Sequence, residues 1–388
     1  MVYLILGDAF TFPEGDASTN RVYAYAHGFI EHGLDVVIIC FRNDKKAIYY
    51  GEKDRIRYYH PYSKSQGGLT FWARRWQSIR KCFITFAIIR DIVTYKRLLA
   101  IHCYTKSLFT QKFAFLLSLV YKSKLILERS EHPLKIYKNR ISKKIFGYYR
   151  VISEIIFSNY IFCISDYLID LYINYGANKK KLFKVPSTVD FRRFERTYPK
   201  PVGYKYVCYC GSLTMQKDGV DILIMSFAKV AMRFPGIHLL LIGKADTPED
   251  EIYLRKLVSD LRIEEKVLFI GKIPRNEIPP YLCNADVLAL ARPRSMIADA
   301  GFPSKLTEYL ATGQPVVATK VGEIPLFLMD GVNAYLAEPD SPEDFADKIT
   351  YVLDNYYSAK KVGEKGKELT KTFFNYNYQA KRILDFLS

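Results

Sequence analysis

Hydrophobic positions along this chain fall into short continuous runs that alternate with longer runs of helical spacing. Residues 2–6 form the first continuous run and predict a buried strand. Apolar residues then recur at helical spacing over 18–32, and Gly33 ends this predicted helix before a second continuous run at 36–40. A strand, a loop, a helix and an apolar strand in this order are typical of a βαβ unit in a parallel sheet that is covered on both faces.

The same alternation continues in two series to the end of the chain. In the first series, the further runs that predict strands are 100–104, 124–128, 161–164 and 182–185. In the second series, strands are predicted at 206–209, 238–242, 267–270, 287–291 and 315–319, and helices at 220–234, 249–262, 277–284, 343–354 and 375–388. Two such series indicate an α/β protein with two doubly wound, Rossmann-like domains that face each other across a cleft.

A short stretch rich in proline and glycine, residues 198–203, separates the two series and predicts a linker. We therefore expect an N-terminal domain at 1–198, a C-terminal domain at 204–370, and a C-terminal helix within 371–388 that packs back on the N-terminal domain. In doubly wound sheets, ligands bind beyond the carboxyl ends of the strands, so the loops that follow predicted strands are the first candidates for a site.

The segment from Gly301 to Val317 carries the strongest indication of a function. It predicts a loop, a short helix with Pro303 in its first turn, a glycine stop and a buried strand. Lys305 and Glu308 are three residues apart, so both lie on one face of that helix. Free N–H groups at a helix start attract a phosphate or sugar oxygen, and a nearby carboxylate can accept hydrogen bonds from ribose hydroxyls. The segment therefore predicts a nucleotide-sugar site and, with it, a sugar-transferring enzyme.

Charge is distributed unevenly along the chain. Residues 1–200 contain 34 Lys and Arg against 16 Asp and Glu, whereas residues 201–388 contain 23 against 24. A basic half favours an anionic partner, which can be a membrane surface, a nucleic acid or an anionic polymer. The aromatic and basic stretch around 71–97 predicts an interfacial lip on anionic lipid, although an ordinary packed helix with a basic outer face gives the same pattern. No nucleic-acid-binding motif is visible, so a nucleic acid partner is not expected.

Cysteine usage and the lengths of the apolar runs bear on where the protein works. The seven cysteines are scattered and no pair has CxxC spacing, so we expect reduced core residues rather than disulfides or a metal site. The chain opens on a predicted strand instead of a signal sequence, and no apolar run is long enough to span a membrane. We therefore expect a cytoplasmic protein that is peripheral at the inner face of the plasma membrane.

Several segments of the C-terminal half follow one another in an order that is typical of one enzyme family. They are 210–219, 238–243, 267–271, 281–290, 301–317 and 326–338, and the N-terminal half matches more loosely at 15–21, 31–36 and 182–194. On these segments the chain resembles the retaining GT-B glycosyltransferases of family 4, the glycosyl transferases group 1. The resemblance implies a GT-B fold, with the acceptor side in the N-terminal domain and the donor site in the C-terminal domain.

The resemblance also implies particular roles for carboxylates and a lysine at the donor site. Glu308 matches the second glutamate of the family's E-x7-E motif, which binds the donor ribose, and Lys217 matches a lysine that binds the diphosphate. Ala300 stands where the first glutamate is expected, so we expect the adjacent Asp299 to take its part.

A diphosphate needs more than one cation, and the arginine that the family has after the first glycine is replaced here by Ser212. Lys305, Arg292 or Arg294 would supply the second positive charge, and Lys305 is the preferred candidate. The expected donor-binding residues are Gly15, Gly211, Lys217, Arg294, Gly301, Phe302, Pro303, Lys305, Leu306 and Glu308.

On the acceptor side, the resemblance implies a second set of residues in the N-terminal domain, namely Asp16, Asn20, Arg21, Glu131 and His132. His132 would touch the donor sugar and joins Glu308, Asp299 and Lys217 among the expected catalytic residues. Each acceptor-side residue has a structural alternative. Asp16 can cap a helix, Arg21 can pair with a helix neighbour, and a lone histidine is more often structural than catalytic.

The mechanism that the resemblance implies is front-face transfer with retention, in which the leaving phosphate oxygen takes the proton of the acceptor hydroxyl. No D-x-D metal motif flanked by apolar residues is present, so we expect metal independence and no cofactor. The expected acceptor is lipid-linked or a polysaccharide, in the synthesis of a cell-surface glycan such as capsule, lipopolysaccharide or exopolysaccharide. Two alternatives stay open: a nucleotide-sugar epimerase of the same fold, and a binding protein that kept the fold and lost catalysis.

Overall fold

The computed structural model describes residues 1–42, 48–62, 70–94, 96–133 and 141–388, with the backbone alone for residues 71, 74 and 141–144. These residues form two compact units. Unit 1 comprises Met1–Pro186 and Tyr376–Ser388, and unit 2 comprises Ser187–Asn375.

Unit 1 is built around a mostly parallel sheet. Its strands are β1 Val2–Gly7, β2 Asp35–Cys40, β3 Tyr50–Lys53, β4 Ile56–Tyr59, β5 Leu98–Tyr104, β6 Lys124–Arg129, β7 Tyr160–Cys163 and β8 Leu182–Lys184. Its helices, apart from one at the C-terminus, are α1 Ala17–Glu31, α2 Phe71–Val93, α3 Leu108–Val120, α4 Ile141–Ile156 and α5 Asp166–Asn174. Among the described residues the strand order is β3-β4-β2-β1-β5-β6-β7-β8, and β3 runs antiparallel to β4.

Unit 2 has the same plan with a smaller, parallel sheet. Its strands are β9 Lys205–Cys210, β10 Ile237–Ile242, β11 Val267–Gly271, β12 Val287–Leu290, β13 Val316–Thr319 and β14 Tyr335–Ala337. Its helices are α6 Met215–Asp218, α7 Val220–Arg233, α8 Pro248–Asp260, α9 Ile278–Cys283, α10 Met296–Ala300, α11 Ser304–Thr312, α12 Ile324–Phe327, α13 Pro342–Asp354 and α14 Tyr356–Lys371. The strand order in the described chain is β11-β10-β9-β12-β13-β14. The expected class, two doubly wound Rossmann-like domains, is confirmed.

The hairpin of β3 and β4 is not among the elements predicted from the sequence. Its strands are short and polar, and Gly51 packs against the Tyr58 ring so closely that a Cβ there would lie 2.3 Å from it. The turn places Asp54 and Arg55 at φ 52° and 65°, a conformation usually signalled by glycine or asparagine. Because neither residue type is present, the sequence gives no hairpin signal here.

Helix α14 was also not predicted, and its two buried glycines explain why. Glycine in a helix interior reads as a breaker in a sequence pattern. In the structure, a Cβ on Gly363 would lie 2.6 Å from the backbone oxygens of Gly313 and Gln314, and one on Gly366 would lie 2.4 Å from that of Asn333. The glycines therefore let α14 lie directly against α11 and the loop after it.

The last helix, α15 Tyr376–Leu387, belongs to unit 1 and packs on α1. Gly28 on α1 makes this contact close, since a Cβ there would lie 2.5 Å from the Cβ of Ala380. The Tyr376 hydroxyl donates a hydrogen bond to Glu31 at 2.5 Å. The buried side chains of Ala380, Ile383 and Leu387 complete the core of unit 1.

The two units divide after Pro186, upstream of the expected linker at 198–203. The chain between these points belongs to unit 2 because it packs there. The Tyr198 hydroxyl donates to the backbone oxygen of Arg193 at 2.6 Å, and the Asn284 side chain donates to the backbone oxygen of Tyr198 at 3.3 Å. The proline-rich stretch is thus a surface segment of unit 2.

The structure also bears on the membrane and cysteine expectations. Within the described ranges, no helix is long and apolar enough to cross a membrane. None of the seven cysteines, all of which lie in the described ranges, forms a disulfide, and Cys40, Cys103, Cys163 and Cys208 are buried. In the part of the chain that the structure describes, no three His, Cys, Asp or Glu side chains are grouped as metal ligands.

Candidate active site

The strand order of unit 2 reverses between β9 and β12, which are neighbours in the sheet. Loops that leave such strands turn to opposite sides and open a crevice at the carboxyl edge. The loop after β9 begins at Gly211, the loop after β12 at Ala291, and α11 begins at Ser304. The sequence-predicted donor residues of the C-terminal half all lie on these segments or on α6 and α10.

Two glycines let these loops meet at backbone distance. Gly243 has φ 143°, and a Cβ there would lie 1.8 Å from the backbone oxygen of Gly211. Gly219 has φ 64°, and a Cβ there would lie 1.9 Å from the backbone oxygen of Ala291. Side chains other than glycine are excluded at both positions, so the loops after β9, β10 and β12 form one tight floor.

Lys305 lies in this floor, as its predicted place on the helix face suggests. Its ammonium is 2.7 Å from the carboxylate of Asp218 and donates to the Tyr209 hydroxyl at 2.9 Å. It packs under Gly211, where a Cβ would lie 2.6 Å from the lysine Nζ. Burial lowers the pKa of Lys305, and the carboxylate of Asp218 opposes that shift. The sequence reading missed Asp218, the partner that holds this lysine in place.

Asp218 is almost fully buried among cations. Burial by itself raises the pKa of this carboxyl, but Lys305 and Arg292 outweigh that effect and hold the pKa below its usual range. Arg292 is also buried, and its Nε donates to the backbone oxygen of Lys217 at 3.0 Å. Burial lowers the pKa of the Arg292 guanidinium, which Asp218 partly restores. One carboxylate therefore faces more than one cation, an excess of positive charge that suits a diphosphate.

Lys217 and Arg294 reach the surface of the same loops. Lys217 lies exposed on α6, and its backbone oxygen is taken by Arg292. Arg294 is exposed, and its backbone N–H donates to both carboxylate oxygens of Asp340 at 3.3 Å. The structure therefore leaves the Lys217 ammonium at the rim of the floor and anchors Arg294 through its backbone.

The start of α11 differs in detail from the prediction. Pro303 is the residue before the helix and not part of its first turn, and Gly301 ends α10, where its N–H donates weakly to Ala298 at 3.4 Å. The N–H of Leu306 donates to the backbone oxygen of Pro303. In the described chain, the N–H groups of Phe302, Ser304 and Lys305 meet no protein acceptor. These groups, rather than that of Gly301, are the ones available to an anion.

Phe302 contributes to the site through its backbone only. Its side chain is buried in contact with the rings of Phe327 and Phe374, at centroid distances of 5.5 and 5.4 Å. Its backbone oxygen accepts a hydrogen bond from Ser187 at 3.3 Å. The aromatic cluster thus fixes the loop that leads into α11.

Glu308 lies in the second turn of α11 and is held by an arginine that sequence reasoning missed. Arg193 Nη1 is 2.9 Å from Glu308 Oε1, and Nη2 donates to the backbone oxygen of Arg275 at 3.0 Å. Both side chains of the pair are mostly buried. Burial raises the pKa of the Cys210 thiol to about 12, and Glu308 adds to this shift, so the carboxylate lies near the end of β9. The only sequence signal for Arg193 was its place in the loosely matching segment 182–194.

The structure shows how position 300 is occupied in place of the expected acid. Ala300 is buried in α10, and Asp299 beside it is partly exposed. Asp299 is near enough to Arg292 to raise the pKa of that guanidinium. The role of Asp299 as the sugar-contacting acid stays a prediction.

In unit 1, the predicted loop before α1 forms a helix cap. Asp16 is the N-cap and accepts hydrogen bonds from the backbone and hydroxyl of Ser18. Burial raises the pKa of Asp16, but the hydrogen bonds from Ser18 and the charge of Arg42 outweigh it and lower the pKa. Gly15 is exposed beside the Thr11 and Thr19 hydroxyls, and Asn20 is half-buried. Asp16, Asn20 and Gly15 thus stay at the surface.

The structure corrects the acceptor-side assignment of Arg21, because its side chain is buried and forms hydrogen bonds within the protein. It contacts Glu128 at 2.8 Å and donates to the backbone oxygens of Val185 and Pro186 at 2.7 and 2.8 Å. Glu128 also accepts from Tyr25 and lies 2.9 Å from His102. Burial raises the pKa of Glu128, but Arg21 and His102 outweigh that effect and lower it. Arg21 therefore fixes the end of unit 1, and its burial leaves little of its side chain exposed to an acceptor.

Glu131 and His132 follow β6, as predicted, next to residues 134–140, which lie outside the described part of the chain. Glu131 is exposed and forms an ion pair with Lys106 at 3.3 Å. His132 is buried, with its ring 5.7 Å from that of Tyr167. Their assignment to sugar and acceptor stays a prediction.

The fold of this chain is shared by other solved structures. Sucrose-phosphate synthase from Thermosynechococcus elongatus matches with a TM-score of 0.74 and 16% identity, over 99% of this chain and 97% of that one. Anabaena Alr3699/HepE in complex with UDP and glucose matches with a TM-score of 0.71 and 15% identity, over 100% and 99%. At these identities the likeness shows the fold alone, and it confirms the expected GT-B fold.

At the level of sequence, residues 190–369 match the family described as Glycosyl transferases group 1, which is somewhat less than half of the chain. An uncharacterized glycosyltransferase of Methanocaldococcus jannaschii is 25% identical over 248 residues, 61% of each chain. Trehalose synthase of Pyrococcus horikoshii is 29% identical over 176 residues, 44% of this chain and 40% of that one. The chain spans less than two thirds of the length of these relatives. The match covers most of unit 2, which holds all of the predicted donor residues except Gly15.

Proposed function

We propose that this protein is a retaining glycosyltransferase that moves a sugar from a nucleotide-diphosphate-sugar to an acceptor hydroxyl. The observation that carries the proposal is the floor of unit 2, where Lys305 and Arg292 surround Asp218 beside the Arg193–Glu308 pair. The family match to this unit supports it, and so do the named glycosyltransferases among the relatives.

The donor would lie across this floor in a defined order. Glu308 uses one carboxylate oxygen for Arg193, so Oε2 is the acceptor for a ribose hydroxyl. The N–H groups at the start of α11 and the Lys217 ammonium would bind the diphosphate, with Lys305 and Arg292 adding positive charge from below. Negative charge that develops on a leaving diphosphate is stabilised most by such preorganised groups.

In the transfer step, the bond between the anomeric carbon and the diphosphate oxygen breaks while the acceptor oxygen bonds to the same face of that carbon. The acceptor proton passes to the leaving phosphate oxygen, so atoms and charge balance without a protein base. The lysine and arginine cations would take the part that a divalent metal has in other transferases, which is the basis for proposing metal independence and no cofactor.

For the acceptor, we propose a lipid-linked or polysaccharide molecule in cell-surface glycan synthesis, with the enzyme at the inner face of the plasma membrane. The basic N-terminal half supports an anionic surface as partner. Because Anabaena Alr3699/HepE has been solved in complex with UDP and with UDP-glucose, UDP is the first nucleotide to test.

A thermal-shift panel of UDP, GDP, ADP and CMP and their sugars, with EDTA and with added magnesium, tests this proposal. A ligand of the folded state raises the apparent melting temperature. One diphosphate should raise it in the wild type and in the surface control Glu265→Gln, but not in Glu308→Gln. A panel without any shift would overturn the donor site.

The buried Ala300 favours a second candidate, a protein that binds the nucleotide-sugar without transferring it. The two candidates separate when the donor that binds is incubated with the protein. Tight binding without transfer or hydrolysis would establish the binding protein and exclude the enzyme.

A further inference from the structure

Three neighbouring helices of unit 1 expose large apolar side chains. The seven most informative are Trp72, Trp76 and Phe83 on α2, Leu116 and Leu119 on α3, and Ile145 and Tyr148 on α4, which are 56–73% exposed. On α2 the spacing of four and seven residues places all three rings on one side of the helix. Apolar surface of this extent on a folded unit usually marks a contact with a partner or a membrane.

The three helices lie on one face of the sheet. The strand order is β4-β2-β1-β5-β6-β7, so the crossovers through α2, α3 and α4 all lead towards the same edge of the sheet. Right-handed crossovers then place these helices on the same side. The crossover from β1 to β2 through α1 leads towards the opposite edge, so α1 lies on the other face of the sheet, with α15.

Contacts between the helices make the exposed surface continuous. The ring of Phe86 on α2 is 5.9 Å from that of Tyr121 at the end of α3. Lys112 on α3 donates to the Tyr149 hydroxyl on α4 at 2.9 Å, and Gln111 donates to the backbone oxygen of Ser153 at 3.2 Å. Helix α3 therefore lies between α2 and α4.

The charges on these helices are almost all positive. Their only acidic residues are Asp91 and Glu154, and Glu154 is buried against Arg129 and Arg150. Exposed arginines and a lysine stand among the apolar side chains, namely Arg75, Arg80, Arg90 and Lys112. Tryptophan and tyrosine among basic residues are the side chains that suit a lipid–water interface.

Lys81 shows how α2 is placed, because it is a basic residue of this helix that is buried against the rest of unit 1. Lys81 is buried and donates to the backbone oxygen of Phe41, the residue directly after β2. It therefore marks the carboxyl edge of the sheet. The first two turns of α2, with Trp72 and Trp76, extend past that edge; the side chain of Arg74 lies outside the described residues.

We propose that α2, α3 and α4 form one surface that docks on an anionic lipid bilayer. The proposal deepens, and rests on, the proposed function, in which the acceptor is lipid-linked. A second copy of the chain is disfavoured as the occupant, because pairing this surface with itself would bring its arginines and lysine together. A bilayer that contains acidic lipid supplies the opposite charge over the whole surface.

The docked orientation gives the surface a role in the reaction. The loops after β1, β5 and β6 meet at the same carboxyl edge, where Asp8 accepts from the Thr105 hydroxyl at 2.7 Å and from the backbone of Lys106 at 2.9 Å. Glu131 is paired with Lys106 at this edge. A lipid-linked acceptor in the bilayer under α2 would therefore present its hydroxyl to the predicted acceptor residue Glu131.

The test uses the full chain and vesicle sedimentation. The vesicles are phosphatidylcholine alone, or phosphatidylcholine and phosphatidylglycerol in equal amounts. The variants are L116S/L119S on α3 and I145S/Y148S on α4, which keep every charge and leave the predicted α2 anchor untouched. The matched control is M232S/I252S, since Met232 and Ile252 in unit 2 are at least as exposed as the residues changed in the two variants.

The wild type and the control should bind the mixed vesicles, and each of the two variants should bind them at least about tenfold more weakly. Binding of the variants at the wild-type level would overturn the surface. So would ultracentrifugation without lipid that shows a wild-type dimer and monomeric variants, because a second copy would then cover the surface. Nucleotide binding is measured on every protein: vesicle binding that depends on α3 and α4 in a chain that binds no nucleotide supports the surface and removes the proposed transferase.

Discussion

Units 1 and 2 share the doubly wound plan but place their charges differently. In unit 1, the charged side chains near the sheet are buried and matched, as in the pairs of Arg21 with Glu128 and of Arg129 with Glu154. In unit 2, the cations Lys305 and Arg292 at the carboxyl edge outnumber Asp218, the carboxylate they surround, and Lys217 lies exposed on α6. A matched buried pair has its counter-charge within the fold, whereas an excess of charge at an edge indicates a candidate ligand site. The proposed docking surface therefore lies in unit 1, and the proposed anion site lies in unit 2.

The largest expected effect tests whether Arg21 is structural. Arg21→Met should lower the free energy of unfolding by about 3–5 kcal/mol, because Glu128 is left buried without its main cation. Arg42→Met is the control, since its pair with Asp16 is exposed and should change stability by less than about 1 kcal/mol. Urea unfolding followed by circular dichroism measures both. Equal stability of the two variants would contradict the assignment of Arg21.

The next effect concerns Lys305 and its buried partner. Lys305→Met should weaken binding of the donor nucleotide about a hundredfold, or about 2.7 kcal/mol, because positive charge beneath the proposed diphosphate site is lost. It should also destabilise unit 2, since the buried Asp218 loses the cation in direct contact with it. The double variant K305M/D218N restores stability by removing both charges, and calorimetric titration should still find weak binding. Recovery of binding along with stability would make Lys305 a structural residue only.

Glu308 and Lys217 should each contribute less to catalysis. Glu308→Ala and Lys217→Ala are expected to lower kcat/KM at least about tenfold, which is about 1.4 kcal/mol of transition-state stabilisation. Lys256→Ala on the exposed side of α8 is the control for loss of a positive charge. Steady-state transfer rates decide, and unchanged turnover in both site variants would reject the donor assignment.

The smallest effect is a pH dependence in unit 1. Burial lowers the pKa of Lys81 to about 8, against an ordinary value of 10.5 in the unfolded chain, and Asp8 partly offsets the shift. The unfolded state therefore binds more protons between these values, so this group makes the folded protein more stable as pH rises through that window. Between about pH 8 and 10, the wild type should gain about 1 kcal/mol per pH unit relative to Lys81→Met. Urea unfolding measures the free energy of unfolding of both proteins at about pH 8 and at about pH 10. An equal difference between wild type and variant at the two pH values would show that the pKa of Lys81 is not lowered.

Sequence periodicity was enough to predict most of the fold because both sheets are buried on two faces. The buried strands are continuous apolar runs in the sequence, and the helices end at glycines such as Gly33 and Gly313. The hairpin at Asp54 and Arg55 and the glycine-containing α14 escaped prediction, since their backbone is set by neighbours that the local pattern does not show.

The candidate site divides in the same way. Lys305 and Glu308 were predicted because a separation of three residues places both on one face of a helix. Their partners Asp218 and Arg193 were missed, because each lies far away in the chain and is joined only by the fold. Arg21 was misassigned for the same reason, since its partner Glu128 comes from a strand that no local pattern connects to α1.

The most direct test of the central claim is the anomeric configuration of the transferred sugar, followed by NMR with the nucleotide-sugar that binds. We predict that the donor is consumed without added metal and that the first product, with an acceptor or with water, keeps the anomeric configuration of the donor. A product of inverted configuration would contradict retention, and a bound donor that is never consumed would contradict the enzyme itself.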